Sequence, residues 1–515
     1  MSRGGRWRSG LLLTAAALGL YGMTLAAPVF FDDRAFALEA GFMRWPARVF
    51  WGVVFSRDYF LATGERTWQP LVTTFHWLAG PRPWLWRLAG ILLHAFNAGL
   101  AGLAARRLSR SRRAAFTAAG LFLCFPLSSE AVFFSSFKGH LLAQASILAL
   151  WLCWARADEM SGESAARWRR AALAVFGLGL IGKETAAVGA AVAFFHDLIL
   201  RRRPLRDCAR RIWPYAALLC FFLLWRFLIL KPPPAALVSA GFRPLTALGW
   251  FLGRLTWPFP ACLIANPPGL FNLAALAAAG GLAWFVRRRP LDLFLLAWIL
   301  AALLPASLLA GQASHTLVAD RHLYLASSAA AVWAAVRLCE PAGGALAAAL
   351  LFAWGALCLR RNGEFRDLPA LAESTAACGA VNPYAHEFLG LTLLGNGDFP
   401  GAMRSYGRAA ELAPNAPGIL NGLGICRAEL GDSVGAEAAF RRAQALRPGP
   451  EVNDNLGLLL ASQDRLNEAV SFFDLAIAAA PEWEKPYRHA AEALRRRDPR
   501  RAAQYERRAV LHVTK

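Results

Sequence analysis

From Leu11 to Leu359 the chain is built from apolar blocks roughly 17–25 residues long, the length a helix needs to cross a hydrocarbon core of about 30 Å. No such block recurs after Arg360. Such a chain cannot bury itself around one aqueous core, and inside lipid only helices and closed barrels satisfy their own backbone polar groups. The expected fold class is therefore all-α: a polytopic transmembrane helical bundle of about eleven spans, then a soluble helical tail. The membrane domain is assigned to residues 1–362 and the tail to 381–515. Composition agrees, since 57% of the 515 residues are hydrophobic.

A net charge of +22 would suit nucleic acid, but most of the excess sits in short clusters between apolar blocks. Arg106 to Arg113, Arg167 to Arg170, Arg201 to Arg211 and Arg287 to Arg289 read as cytoplasmic anchors under the positive-inside rule, so no nucleic-acid partner is expected. Arg3, Arg6 and Arg8 before Leu11 could open a signal peptide, yet the run is long for one and is taken as a retained first helix. A long loop follows to about Pro83, with aromatic pieces suited to the interface. Leu245 to Ile264, with Arg254, Pro258 and Pro260, reads as interfacial or re-entrant rather than spanning. The nine cysteines show no CxxC pair and read as small buried hydrophobes, not as zinc ligands or disulfides. The tail then emerges on the outer side, which for a bacterial inner-membrane protein is the periplasm.

The tail repeats itself. Gly390, Gly424 and Gly457 share one phase; Ala402, Ala436 and Ala469 a second; Tyr406, Phe440 and Phe473 a third. Ala409, Ala443 and Ala476 follow, then Pro414, Pro448 and Pro481. Small residues where two helices touch, an aromatic wedged between them and a closing proline form the tetratricopeptide pattern, with a period of about 34. Three clear repeats and a decayed capping unit, Trp483 to Val510, are expected to form a superhelix that binds a protein or peptide.

Chemistry is expected in the membrane half, where four features fall at outward ends of apolar blocks. They are Phe31-Asp32-Asp33-Arg34, Phe125-Pro126-Leu127-Ser128-Ser129-Glu130 with Lys138-Gly139-His140 behind it, Gly182-Lys183-Glu184, and Asp320-Arg321-His322-Leu323-Tyr324-Leu325. Together they supply carboxylates for proton abstraction and cations for a phosphate.

The order of the Asp32-Asp33 pair, Trp68-Gln69-Pro70-Leu71, Ile91-Leu92-Leu93-His94, PxxxE, KE, RxLYL and the repeats resembles the transmembrane and tetratricopeptide-repeat O-mannosyltransferases of the GT-C membrane glycosyltransferase superfamily. The resemblance implies a polytopic enzyme that takes a sugar from a polyprenyl-phosphate donor on the non-cytoplasmic side. It maps the family's acidic pair onto Asp32 and Asp33, its PxxxE carboxylate onto Glu130, its KE onto Lys183 and Glu184, and its RxLYL arginine onto Arg321. The chain departs from the family at Phe125 and Ser128, where histidines are usual, and at Gln69, where an arginine is usual; these departures bear on mannose as the sugar.

The mechanism expected is an inverting hexosyl transfer to a hydroxyl acceptor on protein. Asp32, assisted by Asp33, is the base; Glu130 and Glu184 orient; Lys183, Arg321 and Lys138 hold the donor phosphate. No cofactor is expected beyond the lipid-linked donor, and no histidine pair at ligand spacing supports a divalent metal held by Asp32, Asp33 and Glu130. The alternatives are a GT-C enzyme acting on a lipid or surface polymer, and a non-enzymatic membrane tetratricopeptide scaffold.

Overall fold

The structure, a computed structural model, describes residues 3–29, 41–56, 58–59, 68–230, 243–260, 263, 269–308, 319–339 and 343–513. Every regular element among the described residues is a helix. The chain divides into two compact units, Met1–Leu368 and Pro369–Lys515.

In the first unit α1 (Arg3–Tyr21) leads to a short amphipathic α2 (Ala47–Val54) and to α3 (Pro70–Ala79). Phe50 of α2 stacks on Trp77, with ring centroids 4.6 Å apart, while Val49 and Trp51 stay exposed, as suits a helix lying along an interface. The bundle proper follows as α4 (Pro83–Ser109), α5 (Arg112–Leu123), α6 (Ser129–Phe133), α7 (Lys138–Ala157), α8 (Gly162–Gly182), α9 (Val188–Phe195) and α10 (Leu205–Leu224). It closes with α11 (Arg243–Thr256), α12 (Gly269–Val286), α13 (Pro290–Leu308), α14 (Tyr324–Leu338) and α15 (Gly344–Glu364).

Helices α4, α7 and α14 form the centre, with α5 packed against α4 and α14. A polar girdle ties them together. His94 Nδ1 lies 2.8 Å from the Tyr324 hydroxyl, and Asn97 donates to that hydroxyl at 3.2 Å and to the Leu141 carbonyl at 2.9 Å. Tyr21 donates to the Leu123 carbonyl at 3.0 Å. In a medium without water such partners are what make buried polar side chains tolerable.

Among the described residues, five helical segments are long and apolar enough to cross a membrane: Ser9–Ala26, Pro83–Ser109, Leu205–Leu228, Pro290–Leu308 and Gly344–Glu364. A sixth is available if α5 and the bent Pro126–Phe133 segment count as one. This is short of the expected eleven, for local reasons. Helix α7 has the length but carries Lys138, His140, Gln144 and Arg156, and the first half of α8 carries Glu163, Arg167, Arg169 and Arg170. Helix α9 passes into a π turn at His196, and α11 and α14 are only 14 and 15 residues long.

Charged side chains sort to the two ends of this unit. At one end Asp158 and Asp197, both almost fully buried, are shared by Arg203 and Arg211: Arg203 reaches Asp197 at 2.8 Å, and Arg211 reaches both carboxylates at 2.7 Å. The Arg107–Glu159 and Arg337–Asp292 pairs lie at helix ends of the same polarity. The clusters expected to be cytoplasmic border this end. The opposite end gathers Glu130, Lys138, Lys183, Arg254, Asp320 and Arg321.

The second unit is a run of antiparallel helix pairs: α16 (Leu368–Cys378), then α17 (Pro383–Gly395) with α18 (Phe399–Leu412), and α19 (Pro417–Glu429) with α20 (Ser433–Leu446). They are followed by α21 (Pro450–Ser462) with α22 (Leu466–Ala479), and α23 (Glu484–Leu494) with α24 (Pro499–Val513). The repeat phases act as their chemistry requires. A Cβ at Gly390, Gly424 or Gly457 would stand 2.5–2.7 Å from the ring of Tyr406, Phe440 or Phe473, so only glycine lets the two helices of a pair approach this closely. Gly397 and Gly431 supply the left-handed turn between helices, and Asp464 takes the same conformation in the third pair with φ 62°. Asp398 and Asp432 then cap the second helices by accepting from Gly401 and Gly435 N–H at 2.9 Å. Cys378 departs from the reading of the cysteines, being disulfide-bonded, whereas Cys124, Cys153, Cys208, Cys220, Cys339, Cys358 and Cys426 are free.

Candidate functional site

Pro126 stops the helix begun by α5 and bends the chain by 51°, so that Glu130 falls in the first turn of α6 with 3% of its surface exposed. Arg321 sits in the 3₁₀ turn Asp320–Leu323 that opens α14. Although 191 residues separate them, Arg321 Nη1 meets Glu130 Oε1 at 2.6 Å and the Arg321 backbone N–H donates to Oε2 at 3.2 Å. The guanidinium lies over the Phe137 ring at 4.5 Å, which fixes its plane. Its Nη2 and Nε have no hydrogen-bond partner among the described residues. Glu130 thus holds Arg321 in place.

Lys138, expected on the donor phosphate, does something else. Its ammonium donates to the Val132 and Phe134 carbonyls at 2.6 and 3.0 Å and so satisfies the C-terminal end of α6. Gly90 of α4 makes room: a Cβ there would stand 2.6 Å from Lys138 Nζ. Glu184, expected to orient Lys183, pairs instead with Arg226 at 3.4 Å. Lys183 is left buried, with no hydrogen bond or ion pair to its ammonium among the described residues. Asp32 and Asp33 lie outside the described residues. Arg87, over the Phe133 ring at 4.7 Å, donates to the Pro28 carbonyl at 2.8 Å, four residues before Asp32.

Two histidines that the sequence motifs include, but to which no role is assigned there, join this cluster. His140, in the first turn of α7, and His322, beside Arg321, make an edge-to-face contact with ring centroids 5.7 Å apart. His140 is buried and His322 partly so, and His140 Nδ1 has no hydrogen-bond partner among the described residues. Burial holds both imidazoles well below the usual histidine range, and the cations Lys183 and Arg321 push them the same way. Residue 183 is brought here by the close approach of two backbones, for the Gly182 carbonyl oxygen lies 3.2 Å from where a Cβ of Gly139 would be. Asp320 is engaged by Arg254 of α11 at 3.1 Å. Three of the four motifs read from the sequence lie among the described residues, and they bring Glu130, Lys138, His140, Lys183, Asp320, Arg321 and His322 to one end of the unit. The only sign of the histidines in the sequence is their adjacency to Lys138 and Arg321.

A second acidic group lies at the opposite end. Asp158, His196 and Asp197 bring one ligand atom each to within 4.8 Å of one another, a spacing a metal ion could use. Arg201, Arg203 and Arg211 already lie on those carboxylates, so the set is an ion-pair lock. In the repeats, polar contacts link successive first helices. Glu387 lies against Gly418, Asn455 Nδ2 donates to the side-chain Oδ1 of Asn421 at 3.0 Å, and His489 Nδ1 lies 2.9 Å from Asp454. Glu387 has no hydrogen bond or ion pair among the described residues, and burial raises its carboxyl above the usual glutamate range.

The tetratricopeptide repeat family matches residues 389–451. A TPR repeat-containing protein of Pseudomonas aeruginosa is 38% identical over 112 residues, which are 21% of this chain and 45% of that protein. The chain thus spans about half the length of the curated relative it matches. Similar solved structures include MamA, 21% identical over 30% of this chain and 86% of that one with a TM-score of 0.27. Another is YrrB, described as a TPR protein with an unusual peptide-binding site, 18% identical over 30% of this chain and 81% of that one with a TM-score of 0.25. The chain carries tetratricopeptide repeats.

Proposed function

We propose that this chain is a multi-pass membrane protein that presents a tetratricopeptide scaffold on the non-cytoplasmic side and engages a protein or peptide there. The repeats carry the scaffold reading, and the comparisons favour it over any enzymatic one. The side is supported by the arginine clusters at one end of the membrane unit and by the disulfide at Cys378, a bond that persists in oxidising compartments such as a bacterial periplasm.

One observation favours a second, enzymatic reading of the membrane half: the unpaired, buried Lys183 gathered with Arg321 and Glu130 at the outer end. On this reading the membrane half is a hexosyltransferase of GT-C type. A sugar passes from a polyprenyl-phosphate carrier to a hydroxyl, on protein held by the repeats or on a lipid or polymer. Asp32 with Asp33 takes the acceptor proton, and the cations steady the departing phosphate. Which sugar moves is a matter of contacts to the sugar ring, and mannose is the family's choice.

The test compares glycoproteins and glycolipids of cells with and without the gene by mass spectrometry, with complementation by wild type and by Asp32→Asn. A protein glycan lost on deletion and not restored by Asp32→Asn supports transfer to protein; a lost lipid sugar supports the lipid acceptor. Unchanged glycans, with a partner captured by the repeats, leave the scaffold alone standing.

A further inference from the structure

We propose that His140 and His322 complete a phosphate-binding site with Lys183 and the open face of Arg321. This deepens the hexosyltransferase reading, and rests on it only for the source of the phosphate.

Charge balance around the cluster leads to it. Glu130 is matched by Arg321, Asp320 by Arg254 and Glu184 by Arg226. Lys138 serves the end of α6. The ammonium of Lys183 remains inside the protein with neither a hydrogen bond nor an ion pair among the described residues. An unpaired buried ammonium is costly, and its natural complement is an anion. Beside it, His140 presents a ring nitrogen that bonds to nothing although the residue is only 4% exposed. Its ring meets that of His322, and the Phe137 and Phe251 rings stand 6.3 and 6.2 Å from the two imidazoles.

The chemistry selects phosphate over a carboxylate. Arg321 is already engaged by Glu130 through Nη1 and the main chain, which leaves Nη2 and Nε as donors without partners among the described residues. Two imidazole N–H groups, an ammonium and one side of a guanidinium are more donors than a two-oxygen anion can use. A tetrahedral anion with three free oxygens can take them all. The same donors suit the phosphate of a lipid carrier and a free phosphate.

The full chain in lipid nanodiscs provides the test, with a polyprenyl monophosphate in the nanodisc as one probe and inorganic phosphate in the buffer as the other. Binding is read by native mass spectrometry for the lipid and by calorimetry for the ion. Lys183→Met, His140→Phe and His322→Phe are each expected to weaken binding by about tenfold or more, while His140→Gln and His322→Gln, which keep a donor, retain most of it. Thermal midpoints of the variants identify any that fail to fold, and the glutamine pair carries the test in that event. Lipid binding alone assigns the site to a carrier phosphate, and equal binding of the ion assigns it to free phosphate. Wild-type binding indifferent to all of these changes, or no binding of either probe by folded protein, overturns the site. Normal sugar transfer with indifferent binding would refute this inference and leave the enzyme reading intact. Site-dependent binding without any transfer would do the reverse.

Discussion

The glycines at the helix contacts of the repeats and those on their open faces should respond with opposite sign to the same substitution. Gly407, inside α18, has nothing within 4 Å of the place a Cβ would take, so Gly407→Ala adds helix propensity and should stabilise by about 0.8–1.0 kcal/mol. At Gly424 the same methyl would stand 2.5, 2.6 and 2.9 Å from three atoms of the Phe440 ring. Phe440 is itself packed among Ala436, Leu456 and Phe473, so the ring cannot swing away without disturbing the next pair. Overpacking of this kind costs about 1–3 kcal/mol, and subtracting the propensity gain leaves a net loss of roughly 0–2 kcal/mol. The two alanines should therefore differ by about 1–3 kcal/mol. The assay is urea unfolding of residues 369–515 followed by helical circular dichroism. Equal slopes should accompany the shifted midpoints, since neither change alters the area exposed. A Gly424→Ala variant as stable as Gly407→Ala would refute the packing account of the repeat phase.

Glu387 gives a pH prediction in the same fragment. Its folded pKa lies above the unfolded one, so the native state binds the extra proton and this stabilising term is lost as pH rises through the folded value. Glu387→Gln should therefore raise the urea midpoint at pH 7, with the gain shrinking towards about pH 4; a gain that grows on acidification would contradict the sign. For the full chain in detergent, Lys138→Met should lower the thermal midpoint by leaving carbonyls at the end of α6 unpaired, at about 1–3 kcal/mol each, and Gly90→Ala should do so by displacing the ammonium. Arg321→Met should cost about 3–5 kcal/mol because Glu130 stays buried without its cation, and the double variant Glu130→Gln/Arg321→Met should recover most of that loss. Additive effects in that cycle would mean the pair is not coupled.

What could be read from the chain alone follows from the range of the forces involved. The repeat phases were legible because a contact between neighbouring helices imposes small and aromatic residues at fixed short spacing. Glu130, Lys183 and Arg321 were legible as a group because each ends an apolar block, where charge is costly unless used. Their pairing was not, because it depends on which helices become neighbours 191 residues apart. The carbonyl partners of Lys138 were not legible for a related reason. Whether an ammonium meets a ligand or three main-chain carbonyls depends on where a five-residue helix stops, and nothing in residue type records that. His140 and His322 carry no periodic signal. The described residues offer five or six candidate spans against the eleven expected, the difference falling where polar residues interrupt α7 and α8 and where α9 gives way to a π turn. Asp32 and Asp33 lie outside the described residues, so the catalytic role given to them rests on the sequence.

The ion-pair lock between Asp158, Asp197, Arg203 and Arg211 has a consequence for biogenesis. Its oldest and youngest members are 53 residues apart, so at synthesis rates of about 5–20 residues per second the first carboxylate waits roughly 3–10 s for its last arginine. In the membrane arrangement proposed above, α8 and α9 cross in opposite directions during that wait, so that the end of α7, the π turn and the start of α10 return to the same side. Were only one of the two to cross, Asp158 would be stranded on one side of the bilayer, with Asp197, Arg203 and Arg211 on the other. In that arrangement, closure of the lock therefore requires both crossings of the hairpin to be complete.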